Sequence, residues 1–259
     1  AAEMLSKRMN APDIKPPSRR LLLLEPRGLM DIPALLAAAP FLLTAPRGKK
    51  HGVIVLPGFG ADDNSTILIR RYLTMLGYDA HGWKRGRNVR RPGADLPAVI
   101  EQIKTLEAKH GLPVSLIGWS RGGIMAREIA RVVPDSVRMV VTLGSPFADP
   151  TANNVGAIWT LLTGEAVPSN PTRMKEIAKP IPVPATAIYT KADGVVAWRA
   201  CLEKEGPRAE NIEVRSTHIG LGFHAPALWA IADRLAQKWD TWKPFKPSAI
   251  VAPFFPRRR

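Results

Sequence analysis

Between His51 and Trp239, short β-rich apolar runs alternate with amphipathic stretches of helical period. That alternation is the sequence form of a parallel sheet joined by crossover helices, because strands covered on both faces read as unbroken apolar runs. Strands are predicted at Val53–Leu56, Tyr78–Trp83, Val114–Ile117, Met139–Leu143, Thr186–Tyr189 and Ile212–Arg215. Helices fill the gaps at Ser65–Leu76, Leu96–His110, Gly122–Val133, around Val196–Lys204 and at Pro226–Trp239. In Leu96–His110 the residues Val99, Ile100, Ile103 and Leu106 fall at helical spacing. The expected fold class is α/β, with an open, mostly parallel sheet of about six strands and crossover helices.

A chain of 259 residues, 46% hydrophobic and 23% charged, is long enough to bury one core and too apolar to be mainly disordered. Residues 1–48 read as an arm followed by a helical cover, with an apolar run at Leu21–Leu24 and a helix-like segment near Leu29–Ala39. Residues 49–240 form the core, interrupted by a short cap segment at about 149–184 that carries a helix at Asn153–Leu162. Residues 241–259 form a proline-rich basic tail. Cys201 is the only cysteine, which excludes an internal disulfide and a cysteine-only metal cluster and fits a reducing compartment. The best apolar stretch, Leu29–Ala45, is broken by Asp31, Pro33 and Pro40 and cannot span a bilayer. The expectation is a cytoplasmic protein, and a signal peptide removed ahead of Ala1 stays open.

Within this frame one segment carries chemistry. Val114–Ile117 runs through Gly118-Trp119-Ser120-Arg121-Gly122 directly into an apolar helix. A strand, a G-x-S-x-G turn and a helix in that order are what a nucleophile elbow requires, since glycines two residues either side let neighbouring backbones nearly touch. A serine needs a base, and the base needs an orienting carboxylate. Asp193 lies just after the strand ending at Tyr189, and His218 just after the last strand. All three candidates sit at the C-terminal ends of parallel strands, where open α/β sheets bind ligands. His224 is the one serious rival to His218, and it falls at a helix start. Two backbone donors are expected to form an oxyanion hole, Arg121 N–H and, from the loop Pro57-Gly58-Phe59-Gly60 after the first strand, Phe59 N–H.

From His51 to Trp239 the chain resembles the α/β-hydrolase superfamily in its compact bacterial esterase and lipase branch. The resemblance rests on the loop at Pro57–Gly60, the Ser120 elbow, Asp193 and His218, with Thr142–Phe147 resembling the strand and turn that precede the cap in bacterial lipases. It implies a fold without cofactor or metal and a two-step acyl-enzyme mechanism on carboxylic esters of short to medium acyl chain. Pro57-Gly58 stands where the family has His-Gly, and Arg121 stands where small or apolar residues are commoner. The two leading strands of the full fold are not evident, so residues 21–48 are expected to cover the edge of a six-stranded core.

Trp119, Ile158, Trp159 and Ile219 are expected to touch substrate, the cap helix being either a lid over Ser120 or an ordinary packed crossover. The Arg121 side chain is expected to form a salt bridge that braces the elbow, with selection of carboxylate-bearing acyl groups as the alternative. The net charge of +15 favours weak association with an anionic membrane surface. The basic run Trp83–Arg91 reads first as arginines bracing carboxylates and second as a basic rim. No nucleic-acid module is present, so specific nucleic-acid binding is not expected, and the sequence does not set the oligomeric state. Acyl transfer and amide cleavage would use the same three residues. A non-catalytic hydrolase-fold protein that binds anionic partners is the competing class, and the intact Ser, Asp, His set counts against it.

Overall fold

The computed structural model describes residues 14–164, 171–238 and 241–256. An N-terminal arm of short helices comes first: α1 (Arg19–Leu23), 3-10 turns at Glu25–Met30, α2 (Asp31–Ala37) and α3 (Ala39–Leu43). The core then alternates β1 (Gly52–Leu56), α4 (Ile67–Met75), β2 (Asp79–Gly82), α5 (Leu96–His110), β3 (Val114–Trp119), α6 (Arg121–Val132) and β4 (Val137–Leu143). After the cap helices α7 (Gly156–Thr163) and α8 (Pro171–Ala178) come β5 (Ala185–Tyr189), β6 (Ala209–Glu213) and α9 (Ala225–Leu235).

The six strands form one parallel sheet in the order β2-β1-β3-β4-β5-β6. Side chains alternate across it as the two-residue period demands. Val53, Val55 and Ile117 join one core cluster with α4 and α9, while Ile54, Leu56 and Leu116 join the other with α5 and α6. Because β1 lies between β2 and β3, the connections leaving β1 and β3 diverge, and a crevice opens at the C-terminal edge there. The register sets its depth. Leu56 pairs with Gly118, and Leu143 with both Trp119 and Ile188, so the loops after β1, β3, β4 and β5 end level.

In the arm, α2 and α3 pack on α9, with Leu42 and Ala45 buried in the core. The proline-rich end is no free tail, because Phe245, Val251 and Phe255 are buried in that cluster and Phe245 N–H donates to Glu210 at 2.6 Å. The helix expected around Val196–Lys204 shrinks to one 3-10 turn, Trp198–Cys201, and α8 is an addition.

Candidate active site

Ser120 adopts φ +54 and ψ −122, a conformation costing a non-glycine residue about 1–3 kcal/mol. Packing around it holds that backbone in place. Ser120 N–H donates to Leu143 C=O at 2.8 Å, and Gly123 N–H to Ser120 C=O at 3.0 Å. A Cβ on Gly118 would stand 2.3 Å from Gly123 backbone, one on Gly122 2.3 Å from Leu56 C=O, and one on Gly123 2.0 Å from Ser145 Oγ. Helix, strand and loop thus touch backbone to backbone, which only glycine permits.

Asp193 and His218 meet. Asp193 Oδ1 accepts from Val195 and Val196 N–H at 2.9 and 2.8 Å, and Oδ2 faces His218 Nδ1 at 2.7 Å. Both residues are buried. Thr190 Oγ donates to Ser216 C=O at 2.8 Å, joining the loops that carry them. Burial pulls the His218 pKa down, but the charge and hydrogen bond of Asp193 and the charge of Glu25 outweigh it, so the net shift is upward. The pair lies beside the elbow, since a Cβ on Gly144, the residue after Leu143, would come within 3.0 Å of His218 Nδ1. Among the described residues, Ser120 Oγ forms no hydrogen bond, to the imidazole or to any other group. His224 stands at the N-terminal cap position of α9 without a side-chain capping bond, its Nδ1 buried and unpartnered among the described residues and its pKa lowered by burial.

A residue that sequence reasoning missed ties these loops together. The Glu25 carboxylate is buried, and it accepts from Gly194 N–H at 2.6 Å, His218 N–H at 3.1 Å and Ile219 N–H at 2.9 Å. The Asp193 loop and the His218 loop therefore share one anion supplied by the arm. The only sequence signal was a lone acid after four leucines, in Leu21-Leu22-Leu23-Leu24-Glu25-Pro26.

On the other side of Ser120, the Pro57–Gly60 loop is braced by Asn88, whose Nδ2 donates to Pro57 C=O at 2.8 Å and whose C=O accepts from Gly60 N–H at 3.0 Å. A Cβ on Gly58 would sit 3.4 Å from Ser120 Cβ. Among the described residues, Phe59 and Arg121 N–H donate to no acceptor. The Arg121 side chain departs from expectation, because among the described residues it forms no salt bridge. Its guanidinium donates to the carbonyls of Asn88 (3.2 Å) and Arg90, and it lies over the Phe59 and Trp159 rings at 5.6 and 4.9 Å. Carbonyl dipoles and aromatic faces supply the partial negative charge a salt bridge would have given. Burial pulls its pKa down to about 10, so it stays charged at neutral pH. Within the basic run, Arg85 and Arg90 brace buried Asp95 at 3.3 and 3.1 Å.

Ser120 opens on a cavity of about 130 Å³ whose wall is largely apolar, including Phe59, Ile124, Met125, Trp159, Met174 and Ile177. Trp159 of α7 stacks on Phe59 with centroids 4.5 Å apart, so α7 caps this cavity. The Ile158 side chain lies outside the described residues. Trp119 and Ile219 do not line the cavity. Trp119 turns to the α9 face of the sheet, packs against Gly222 and Phe223 and donates Nε1–H to His218 C=O at 3.1 Å. Ile219 is engaged by Glu25. Among the described residues no cluster of three or more His, Cys, Asp or Glu could hold a metal ion, and no helix is long and apolar enough to cross a membrane.

A family model described as alpha/beta hydrolase fold matches residues 54–192. Among solved structures, Aspergillus fumigatus lipase B is similar at TM-score 0.55 and 16% identity, over 74% of this chain and 56% of its own, so the chain spans little more than half that lipase. An alpha/beta superfamily hydrolase from Oenococcus oeni PSU-1 is similar at TM-score 0.54 and 14% identity, covering 75% of this chain and 94% of its own. Est1E from Butyrivibrio proteoclasticus follows at 0.51 and 13%, covering 72% and 87%. At these identities the likeness is one of fold. No curated protein matches the sequence.

Proposed function

Because the chain belongs to the alpha/beta hydrolase fold family, we propose that it is a serine hydrolase that cleaves carboxylic esters through an acyl-enzyme. The observation that carries this reading is the buried His218–Asp193 pair at 2.7 Å beside a serine held at φ +54 on a strand-to-helix turn. A solvated loop serine would have no use for either feature.

Ser120 Oγ attacks the ester carbonyl carbon as its proton passes to His218 Nε2, while Asp193 holds Nδ1–H and so fixes the tautomer. The carbonyl oxygen becomes an oxyanion facing the free N–H groups of Phe59 and Arg121, at the N-terminus of α6. Collapse breaks the bond to the alkoxy oxygen, which leaves with the proton from His218. Water then attacks the acyl-enzyme, giving its proton to His218, and the acid departs as Ser120 recovers its own. Glu25 acts as a positioning residue, holding the backbones of both loops through three N–H groups.

The apolar wall favours an uncharged acyl chain of short to medium length. The Arg121 guanidinium lines the same cavity but is already engaged by carbonyls and rings. The test is hydrolysis of p-nitrophenyl esters of graded chain length, with labelling by a serine-reactive phosphonate. Ser120→Ala is expected to abolish labelling and lower kcat by about four or more orders of magnitude at an unchanged melting temperature. A variant that keeps a tenth of parental turnover rules Ser120 out as nucleophile. Labelling of Ser120 without turnover of any ester removes the ester class.

A further inference from the structure

The outer face of the N-terminal arm is used neither by the core nor by the site. Its successive turns touch one another, and its inner side chains are spent: Leu42 and Ala45 are buried, and Leu35 and Phe41 pack on the core. The outer ones are not. Of the thirteen large apolar side chains exposed among the described residues, eight lie between Leu22 and Leu43. Leu23 and Leu36 are 80% and 79% exposed, and Leu29, Met30 and Leu43 are more than half exposed. Phe254, also exposed, packs on Phe41 with centroids 4.5 Å apart, so the C-terminal segment extends the same surface. Scattered exposed leucines are ordinary, but this concentration marks an interaction surface.

The charge of the arm is sorted. Residues 14–50 contain only two acids, Glu25 and Asp31, and both are engaged by the core. Glu25 binds three backbone N–H groups, and Asp31 accepts from Ser216 Oγ at 2.7 Å. Arg19, Arg20, Arg27, Arg47, Lys49 and Lys50 are all exposed. Residues 14–50 therefore present leucine, methionine and positive charge outward, with both their carboxylates turned in.

We infer that this face docks on an anionic lipid surface, the leucine and methionine tips entering the boundary between headgroups and acyl chains while the arginines and lysines meet the phosphates. Interfacial segments bind by this combination of apolar burial and attraction to anionic lipid. A second copy of the chain fits worse, since a self-complementary interface would set these arginines against one another with no outward carboxylate among residues 14–50 to pair them. A nucleic acid would satisfy the cations and leave the leucines in water. The inference does not depend on the proposed activity.

The experiment sediments the full chain with extruded vesicles of phosphatidylcholine alone and of phosphatidylcholine with phosphatidylglycerol. Binding is expected to the phosphatidylglycerol vesicles, weakening as salt rises, with little on phosphatidylcholine. Arg19→Gln with Arg20→Gln is expected to weaken it. Leu23→Ser with Leu36→Ser is expected to cost roughly tenfold in partitioning for each leucine, at an unchanged melting temperature. Failure to sediment with phosphatidylglycerol vesicles overturns the inference, as does equal binding by the leucine variant and the parent. A concentration-dependent dimer in lipid-free buffer, abolished by the same leucine substitutions, overturns it too and puts a second copy on the face.

Discussion

Glu25 is the residue on which the geometry of the site turns. A buried carboxylate facing three N–H groups from two loops fixes their spacing more tightly than side-chain packing, because charge-assisted bonds are short and directional. Glu25→Gln keeps the shape but sets an NH₂ group against backbone N–H and removes the charge. On the proposed mechanism its kcat should fall about tenfold or more with KM little changed, since a displaced imidazole costs rate rather than binding. The pH profile separates this from simple loosening. Asp193 and Glu25 are the charged groups that raise the His218 pKa, and catalysis needs the neutral imidazole. The acid limb of kcat/KM in the parent should therefore lie above the ordinary histidine value of about 6.5 and move to lower pH in Glu25→Gln. An unmoved limb would leave Glu25 with a structural role only.

At the scale of elements, the elbow exists because β1 and β3 meet α6 backbone to backbone. Gly118→Ala would put a Cβ 2.3 Å from Gly123 backbone, which cannot rotate away. The variant should lose about 1–3 kcal/mol, read as a lower urea midpoint, and activity should fall with it. His51 links the start of β1 to β3, with Nε2 facing Ser115 Oγ and Nδ1 facing Lys49 C=O, both at 2.8 Å. Burial drives its pKa down to about 4. Between that value and about 6.5 the unfolded chain binds a proton at this residue that the native chain does not, so stability rises with pH across the window. Acidifying from pH 6.5 to 4 should then cost roughly 3 kcal/mol through this residue, and the slope should flatten in His51→Gln.

For the whole molecule, the arm is not an appendage. It supplies Glu25 to the loops, Leu42 and Ala45 to the core, and close backbone contact at Gly28 and Gly194. Deleting residues 1–48 would leave Gly194, His218 and Ile219 N–H without an acceptor and uncover α9. Each buried orphan donor costs about 1–3 kcal/mol, against a total stability of about 5–15 kcal/mol. The truncated chain should fail to accumulate as folded, soluble protein, judged by soluble yield and thermal unfolding. A truncated protein that melts cooperatively near the parent's temperature would make the arm dispensable to the fold.

The sequence by itself determined what depends on local period and local sterics. Leu96–His110 is α5 residue for residue, and five of the six strands fall within two residues of their predicted bounds, because side-chain alternation and helical spacing are written along the chain. β6 begins three residues early, its half-exposed residues breaking the apolar run. The elbow was legible because glycine at 118 and 122 is a steric demand, and Asp193 and His218 because they follow strands that end level. Tertiary structure alone decided what those residues meet. Glu25 lies 169 residues from Gly194 and 193 from His218, and its partners are backbone N–H groups, which every residue but proline carries and no sequence pattern marks. Arg121 found carbonyls and aromatic rings where a carboxylate was expected, and Trp119 turned to the far face of the sheet, because such contacts depend on which surfaces the fold brings together.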